Sequence, residues 1–393
     1  MLKLPIRGKR NHDLDGQALL ELQQTLANIR YLIIDEYSVV SQRDLAWINR
    51  RCKQATGITE KLFGGINVIL LGDLAQLPPV NGKALYHSNP LTELECEGLL
   101  VYLEFKTVIT LQANQRVSGT GTSDQRFKDL LSNIRDGITT TDDWELLLSR
   151  APNVCADTRF FQSAVKLSFG NKKVAEDNYE ALKTLGVPIA KVEALHSRKS
   201  ASKLSSDDMG GLSKTVFLSV GARVMLLRIL WTDVGLCNGA LGIVHSIVYA
   251  SDHGPPLLPV AIMVQFDSTY TGPSFSPNVP NLVPIPPCSS FSESLGSNYE
   301  RTQFPIKLAW AVTIHKSQGL TLEKMWIDLG KSEKSVGLTY VALSRVRSLD
   351  SIIIEPMSFE RLSCIRSSSG FEYRINEEKR LNELANLLKF NQM

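Results

Sequence analysis

Residues Tyr31–Glu36 read YLIIDE, a short run of apolar and aromatic residues that leads directly into two carboxylates. A run of this length and composition is typical of a buried strand in a parallel sheet. Because ligands of open α/β sheets bind beyond the carboxyl ends of the strands, Asp35 and Glu36 would lie at a ligand site. One such carboxylate can bind Mg²⁺ while the next orients or deprotonates an attacking water. The alternative is a strand that simply ends in acidic surface residues.

Strands and helices alternate around this segment, a pattern that predicts a parallel sheet covered by helices. Apolar residues at helical spacing predict a helix over Leu19–Ile29, directly before the strand, and a second over Ser41–Ala55. Gly57 is placed to end that second helix. Two further buried strands are predicted at Asn67–Gly72 and Val108–Leu111.

A second α/β region is predicted after the stretch Ser118–Ser123, which is rich in Gly, Ser and Thr and typical of a linker. Helices are expected at Phe127–Asp136 and Ala175–Leu185. Leucines near the end of the chain predict a short amphipathic helix over Glu377–Leu388.

Three β-rich segments between residues 216 and 266 indicate a small barrel-like insertion in this second region. Nine of the 17 prolines lie between Pro255 and Pro287. Because proline cannot donate to a strand ladder, we expect residues 254–302 to form a surface loop. The only strand expected within that loop is Val260–Phe266.

The composition of the 393 residues is that of an ordinary globular protein, with 43% hydrophobic and 21% charged residues. This length favours two or three domains. The net charge of +3 does not by itself indicate nucleic acid, so any site for a polyanion must be a local patch. No apolar stretch approaches the ~18 residues of a membrane span, and we expect no membrane partner. The six cysteines form no C-x-x-C pair, which argues against a zinc site or a disulfide framework.

The second motif, GDLAQLPPV at Gly72–Val80, places Asp73 and Gln76 directly after a predicted strand. A glutamine in this position can contact both a γ-phosphate and the attacking water, which suits a residue that senses the state of a nucleotide. The alternative is a polar loop that two prolines close.

The third motif, LAWAVTIHKSQGLTLE at Leu308–Glu323, is an apolar strand that leads into a dense row of hydrogen-bond donors. Such a row suits phosphate or sugar oxygens, and Gly319 allows close approach of the backbone. The donors are Thr313, His315, Lys316, Ser317 and Gln318. A single histidine or lysine here would more often be a solvated loop residue.

The fourth motif, YVALSRVRS at residues 340–348, predicts a helix with Arg345 and Arg347 on its outer face. The residues expected to point inward are Tyr340, Leu343 and Val346. An arginine that faces a nucleotide from a second lobe stabilises transition-state charge by roughly 10³–10⁵ in rate. An ordinary surface arginine is the alternative for this segment alone.

Taken in order, the segments IIDEYS, GDLAQLPPV, LQANQR, LAWAVTIHKSQGLTLE and YVALSRVRS resemble motifs II to VI of superfamily-one 5′-to-3′ DNA helicases. The resemblance is to the PIF family and its relatives in Helitron transposons. The opening MLKLPIRGKRNHDLDG resembles the segment that lies between the phosphate loop and the Walker B strand of those relatives.

The resemblance implies an α/β fold of two RecA-like parallel-sheet lobes. The first lobe, truncated at its N-terminus, would be residues 1–117 with motifs Ib, II, III and IV. The second would be residues 118–393 with motifs V and VI, including a β-rich, SH3-like insertion around residues 221–304.

The same resemblance assigns roles to single residues. Asp35 would coordinate Mg²⁺, and Glu36 would be the catalytic base. Gln76 would sense the γ-phosphate. The other residues implied for the ATP site are Arg116, Gly319 and Arg345. The residues implied for contact with single-stranded DNA are Thr313, His315, Lys316 and Gln318.

The phosphate-loop motif G-x-x-x-x-G-K-[ST] does not occur in the 393 residues. We therefore expect a PIF-like, ATP- and Mg²⁺-dependent helicase whose given chain begins after its own Walker A segment. A catalytically inactive, nucleic-acid-binding remnant of a transposon helicase is the alternative, and an RNA-directed motor shares the same motifs. The resemblance also implies single-stranded DNA as partner, a role in DNA repair, recombination or telomere maintenance, and a nuclear location with the mitochondrion as alternative. It leaves the oligomeric state open.

Overall fold

The computed structural model describes residues 2–5, 12–155, 158–294, 297–333, 335–368 and 370–391. It divides into two compact units. Unit 1 comprises Met1–Arg150, Leu329–Asp350 and Pro356–Met393, and unit 2 comprises Ala151–Asp328 and Ser351–Glu355. Residues 118–150 thus share a compact unit with the segment before them. The predicted lobe boundary at residues 117 and 118 stays a prediction.

The secondary structure of the described residues alternates between helices and strands in unit 1 and is richer in strands in unit 2. The α-helices are α1 (Gly16–Leu26), α2 (Gln42–Thr56), α3 (Glu93–Leu103), α4 (Thr122–Asp136), α5 (Thr141–Leu148), α6 (Asn171–Thr184), α7 (Ile314–Ser317), α8 (Leu338–Leu343), α9 (Phe359–Ser363) and α10 (Phe371–Asn391).

The strands are β1 (Tyr31–Ile34), β2 (Asn67–Leu70), β3 (Val165–Ser168), β4 (Ala190–Glu193), β5 (Leu195–His196), β6 (Thr215–Leu218), β7 (Arg223–Leu226), β8 (Leu241–Val248), β9 (Ala261–Phe266), β10 (Leu282–Ile285), β11 (Cys288–Ser294), β12 (Ser297–Gln303), β13 (Ile306–Leu308), β14 (Ala311–Thr313), β15 (Met325–Ile327) and β16 (Ile352–Ile354).

Unit 1 is built on β1 and β2, which pair in parallel with Tyr31 opposite Asn67. Helices α1, α2 and α3 pack around a core that includes Leu22, Leu45 and Cys52. Helix α2 begins with a capping box at Ser41, and the predicted end at Gly57 is confirmed, since Gly57 takes a left-handed conformation.

The sheet of unit 1 differs from the prediction in two respects. β1 alternates in burial, with Tyr31 64% and Ile33 59% exposed, because the helices of the described chain cover only one face of the two strands. Val108–Leu111 is not a strand: no described strand pairs with it, and Ile109 and Leu111 are more than 80% exposed. Without a partner strand the backbone of an extended segment gains no ladder hydrogen bonds.

Unit 2 contains a parallel sheet in the order β14-β3-β15-β16, against which α6 packs. Beside it lies an antiparallel sheet in the order β10-β9-β8-β7-β13, together with the hairpin β11–β12 paired to β5 and the pair β4–β6. The parallel sheets of both units fit the predicted α/β class of two RecA-like lobes. The β-rich insertion is confirmed, and its SH3-like character stays a prediction.

The predicted surface loop at residues 254–302 is wrong in its second half. β10 pairs with β9, and β11 pairs with β12 in a seven-residue register. Pro284 is tolerated because β10 is the edge strand of its sheet. Ile285 is fully buried, so this segment contributes to the core of unit 2.

Of the helices in the described part of the chain, none has the length and apolar content that crossing a bilayer requires.

Arg301 of β12 anchors the hairpin from inside unit 2. Its side chain is fully buried and donates hydrogen bonds to the backbone carbonyls of Leu212 (2.9 Å), Ala201 (2.9 Å) and Leu204 (2.8 Å). Burial lowers the pKa of Arg301. The guanidinium thus gives the Leu212 and Leu204 carbonyls a donor and adds a second donor to the Ala201 carbonyl, which also accepts from the Leu204 N–H.

We expect Arg301→Met to lower the free energy of unfolding by about 3 kcal/mol, because it removes three hydrogen bonds from inside unit 2 and leaves the buried Leu212 carbonyl without its side-chain donor. Arg301→Lys should rescue little, since an ammonium group cannot match the planar fork. Urea unfolding measures the change. The control is Arg198→Met, which replaces an exposed arginine of the same unit. Equal stabilities for the Arg301 and Arg198 variants would contradict the anchoring role.

Candidate nucleotide site and nucleic-acid interface

The two carboxylates after β1 lie at a sharp turn of the backbone. Glu36 takes a left-handed conformation (φ 52°, ψ 43°), and Asp35 accepts a hydrogen bond from the Glu36 N–H at 2.8 Å. The following Tyr37 N–H donates to the carbonyl of Leu71, just beyond the end of β2. A left-handed residue other than glycine carries strain that the surroundings must hold in place. The turn therefore fixes Asp35 and Glu36 at the carboxyl end of the parallel pair.

Asp73 joins three segments of unit 1. Its Oδ1 accepts hydrogen bonds from the Ala75 N–H and from Nη2 of Arg135 in α4, both at 3.0 Å. The hydroxyl of Tyr340 in α8 is hydrogen-bonded to the same carboxylate, and burial followed by the Asp73 charge raises the Tyr340 pKa. The sequence pattern predicts that Asp73 follows a strand but gives it no role, and it does not single out Arg135 as its partner.

Arg345 points inward, and the predicted outward orientation is wrong. Its side chain is 2% exposed, with Nε donating to the Val341 carbonyl and Nη2 to Ser344 Oγ, both at 2.7 Å. The physical reason is that α8 ends at Leu343, so the residues after it leave the helical periodicity on which the prediction relied. Of the inward residues, Leu343 and Val346 are buried as predicted, and Tyr340 is half-buried.

The side chain of Arg116, from the segment before α4, lies beside the end of α8. Its Nη1 donates to the Ser344 carbonyl at 2.9 Å, directly beside Arg345. Burial and, after it, the positive charge of Arg116 lower the pKa of Arg345 to about 10. The carboxylate of Glu36 is close enough to raise the pKa of both arginines. Two guanidinium groups held together beside a carboxylate form a site suited to a phosphate with a bound cation.

The backbone of Gln76 packs against Gly337, the residue directly before α8. Its Oε1 is buried and has no hydrogen-bond partner among the described residues. Gly337, at φ +82°, packs directly on the turn: a Cβ at this position would lie 2.2 Å from the Ala75 carbonyl oxygen and 2.7 Å from that of Gln76. The glycine therefore allows α8 and the Asp73–Gln76 turn to touch.

The predicted DNA-contacting residues lie in unit 2, around the end of β14. Thr313 is buried at the strand end, whereas His315 and Lys316 are exposed on the single turn α7. Ser317 faces inward and donates to the Ile314 carbonyl, so it does not belong to the donor row. Burial lowers the pKa of His315. Gln318 is half-buried.

Gly319 follows this row in the left-handed conformation, at φ +77°. It lies in unit 2, whereas the other residues predicted for the nucleotide site lie in unit 1. Its role, like the roles of the other site residues, stays a prediction.

We expect Gly337→Ala to destabilise unit 1 by about 2–4 kcal/mol, because the new methyl group overlaps a backbone carbonyl and the φ angle is strained as well. Gly186→Ala is the matched control: Gly186 also has a positive φ, but a Cβ there meets nothing within 4 Å. Thermal unfolding of the two variants separates the cost of the overlap with the Ala75 and Gln76 carbonyls from the cost of the positive φ angle. Equal losses would show that α8 does not rest on the Asp73–Gln76 turn.

Two family profiles match the chain. The PIF1-like helicase family matches residues 1–145, and the 2B domain of DNA helicase Pif1 matches residues 210–247. The second match lies within the β-rich part of unit 2.

Curated relatives match over most of this chain. The ATP-dependent DNA helicase PIF1 of Danio rerio is 30% identical over 328 residues, which cover 82% of this chain and 46% of the relative. The ATP-dependent DNA helicase Pif1 of Bdellovibrio bacteriovorus is 30% identical over 338 residues, covering 83% of this chain and 66% of the relative. The chain spans about half the length of most of these curated relatives.

Solved structures are also similar to this chain. The Pif1 helicase from Candida albicans superposes with a TM-score of 0.72 at 25% identity, covering 93% of this chain and 78% of that one. A Bacteroides Pif1 bound to single-stranded DNA gives a TM-score of 0.62 at 25% identity, covering 92% and 79%. The chain therefore belongs to the PIF1-like helicase family.

Proposed function

We propose that the protein is an ATP-dependent DNA helicase that translocates 5′-to-3′ along single-stranded DNA. The observation that carries the proposal is the convergence of Arg116 and Arg345 beside Glu36 and Asp73 in unit 1. The curated relatives are named ATP-dependent DNA helicases, and one related Pif1 was crystallised with single-stranded DNA.

In this proposal each residue of unit 1 has a role that its surroundings support. Asp35 would hold Mg²⁺ together with phosphate oxygens, as this ion commonly binds one or two carboxylates. Glu36 would orient and deprotonate the attacking water. The amide of Gln76, whose buried oxygen has no partner in the described part of the chain, would bond the water and the γ-phosphate. Arg116 and Arg345 would stabilise the charge that develops on the phosphate.

In unit 2, Thr313, His315, Lys316 and Gln318 would contact the DNA backbone, and Gly319 would allow the nucleotide to approach. Since its lowered pKa leaves His315 neutral at pH 7, it would donate as a neutral group. Lys316 would then supply the positive charge of this row. A role in genome maintenance in the nucleus or mitochondrion belongs to the same proposal.

The first prediction concerns DNA binding. Lys316→Ala should weaken binding of a labelled oligodeoxythymidylate at low salt and reduce the slope of log affinity against log salt by about 0.7, the value for one phosphate contact on a single strand. Lys172→Ala, which removes a 92% exposed lysine of α6, is the control and should leave the slope unchanged. Fluorescence anisotropy over a salt series measures both. An unchanged slope for Lys316→Ala removes this segment from the DNA path.

The second prediction concerns ATP turnover. These 393 residues contain no phosphate loop to hold the phosphates in line with Glu36 and the arginines, and phosphoryl transfer depends mainly on positioning. We expect little DNA-stimulated ATP hydrolysis from them alone. A version extended upstream to restore a phosphate loop should hydrolyse ATP.

In the extended version, Glu36→Gln should abolish turnover and Arg345→Lys should reduce it by roughly 10³-fold or more. A fully active short chain, with activity that depends on Glu36, would contradict the need for the loop. An extended chain that binds DNA but never hydrolyses ATP would favour the inactive nucleic-acid-binding remnant.

A further inference from the structure

A buried ion pair lies beside the start of α8 in unit 1. Nη1 of Arg361, in α9, is 2.9 Å from Oε2 of Glu333, and the two side chains are only 3% and 5% exposed. Glu333 belongs to the segment directly before α8. Neither residue is part of a motif segment, and the proposed function gives neither of them a role. Two charges are therefore buried beside the candidate nucleotide site for a reason that the site residues do not supply.

Both members of the pair bond Thr339, the second residue of α8. The Glu333 carboxylate accepts the Thr339 N–H at 3.0 Å and also accepts a hydrogen bond from the Thr339 hydroxyl. Nη2 of Arg361 donates to the same hydroxyl at 3.1 Å. Nε and Nη2 of Arg361 also donate to the carbonyl of Leu329, at 3.2 and 3.0 Å. Thr339 is 2% exposed, so these bonds are shielded from water.

The carboxylate of Glu333 satisfies the first turn of α8. An N–H group at the start of a helix has no partner within the helix, and the Thr339 N–H finds its partner in Glu333. The carboxylate also places a negative charge at the positive end of the helix dipole. The ion pair thus determines where α8 begins.

The other end of α8 holds the two arginines of the candidate nucleotide site. Nε of Arg345 donates to the Val341 carbonyl at 2.7 Å. Nη1 of Arg116 donates to the Ser344 carbonyl at 2.9 Å. Because a helix rises 1.5 Å per residue, Thr339 and Ser344 are only about 7.5 Å apart along α8. The helix has six residues, so a shift at its start is carried to its end with little bending to absorb it.

The cost of burying charge indicates what the pair does. Moving two charges out of water is expensive, and replacing a buried ion pair by apolar residues often leaves stability unchanged or raises it. Such a pair is therefore weak evidence for a role in stability, and its best-attested use is to fix one arrangement of the groups around it. Here both charged groups bond the Thr339 hydroxyl. A different position of Thr339 would leave buried charged groups with fewer hydrogen bonds.

We propose that the Glu333–Arg361 pair positions Arg345 for its action on the phosphate. The pair acts through Thr339 and α8, and not by contact with the phosphate. Arg116, which bonds the end of the same helix, is placed along with Arg345. The inference rests on the proposed function, in which the two arginines stabilise the charge on the phosphate, and it adds the residues that hold them in place.

Displacement of the arginines has a defined kinetic signature. They act on charge that develops in the transition state, so their displacement should lower kcat and leave the KM for ATP nearly unchanged. A misplacement of about 1 Å costs about 10²-fold in rate. A pair that served only stability would lower the melting temperature and leave the kcat of the folded protein intact.

Glu333→Asp tests the reach of the carboxylate. Asp keeps the charge opposite Arg361 but is one methylene shorter, so it no longer reaches both Arg361 and the Thr339 N–H. In the version extended upstream with a phosphate loop, and well below the melting temperature, it should lower kcat by about 10²-fold. Glu97→Asp is the matched control and should leave kcat unchanged, since it shortens a carboxylate of the same unit that pairs with Arg50 at 2.8 Å.

A second pair of variants tests the Thr339 hydroxyl with little change in volume. Thr339→Val replaces the hydroxyl by a methyl group and should also lower kcat with little change in KM. Thr339→Ser keeps the hydroxyl and should retain most of the turnover. These two variants decide the question if Glu333→Asp does not fold.

Exchange of the Arg345 Nε–H with water gives a readout that needs no nucleotide. Its bond to the Val341 carbonyl and the burial of the side chain predict slow exchange in the 393-residue chain. NMR of the chain with isotope-labelled arginines measures the exchange, and Arg345→Lys assigns the signal by its absence. Glu333→Asp and Thr339→Val should lose the protection, whereas the Glu97 control and Thr339→Ser should keep it.

Wild-type kcat in both Glu333→Asp and Thr339→Val, or an Arg345 Nε–H that stays protected in both, would overturn the positioning role and leave the proposed function standing. If the extended wild type hydrolyses no ATP in the presence of DNA, the proposed function itself fails. The exchange measurement then still decides whether the pair holds Arg345. The two failures are therefore distinct.

Discussion

The carboxylate of Asp73 is the constraint on which the candidate nucleotide site depends. It accepts hydrogen bonds from its own turn, from Arg135 of α4 and from Tyr340 of α8. Arg135 also pairs with Glu378 of α10 at 2.8 Å, so four segments that are distant in the chain meet at one half-buried network. Charge-assisted bonds of this kind are strong, and the loss of one partner leaves the others unsatisfied. The turn after β2 and the start of α8 are therefore held in one arrangement.

The position of α8 has direct consequences for the arginines. Tyr340 and Gly337 hold α8 against the Asp73–Gln76 turn. The residues that follow the end of α8 therefore lie beside Arg116. Arg345 then folds back onto its own helix and is buried. The Asp73–Gln76 turn and the two arginines are therefore joined by one short helix. Under the proposed function, this helix would connect Gln76, as the γ-phosphate sensor, to Arg116 and Arg345.

Unit 1 contains a pair of like charges that the free protein holds at a cost. The pair is Arg116 and Arg345, with burial and mutual repulsion lowering the Arg345 pKa to about 10. Sites that bind anions are where such costs are retained, because the ligand supplies the missing charge. A stabilising substitution at either position should therefore come with a loss of function.

Local sequence patterns were enough to predict the α/β class, the helices α2, α4 and α6, the end of α2 at Gly57, and the order of the motif segments. These features follow from local periodicity, capping and turn chemistry, which depend on near neighbours in the chain. The same local rules failed for Val108–Leu111, which has strand composition but no partner strand, and for the segment around Pro284, which an edge position makes tolerable.

Which charged groups meet depends on how separate elements pack. The position of Arg345 beside Arg116 and the carbonyls around Arg301 both bring together residues that are distant in the chain. A periodic pattern predicts the face on which a side chain lies. It does not predict the element that covers that face, and for a charged side chain that neighbour determines burial, pKa and partner.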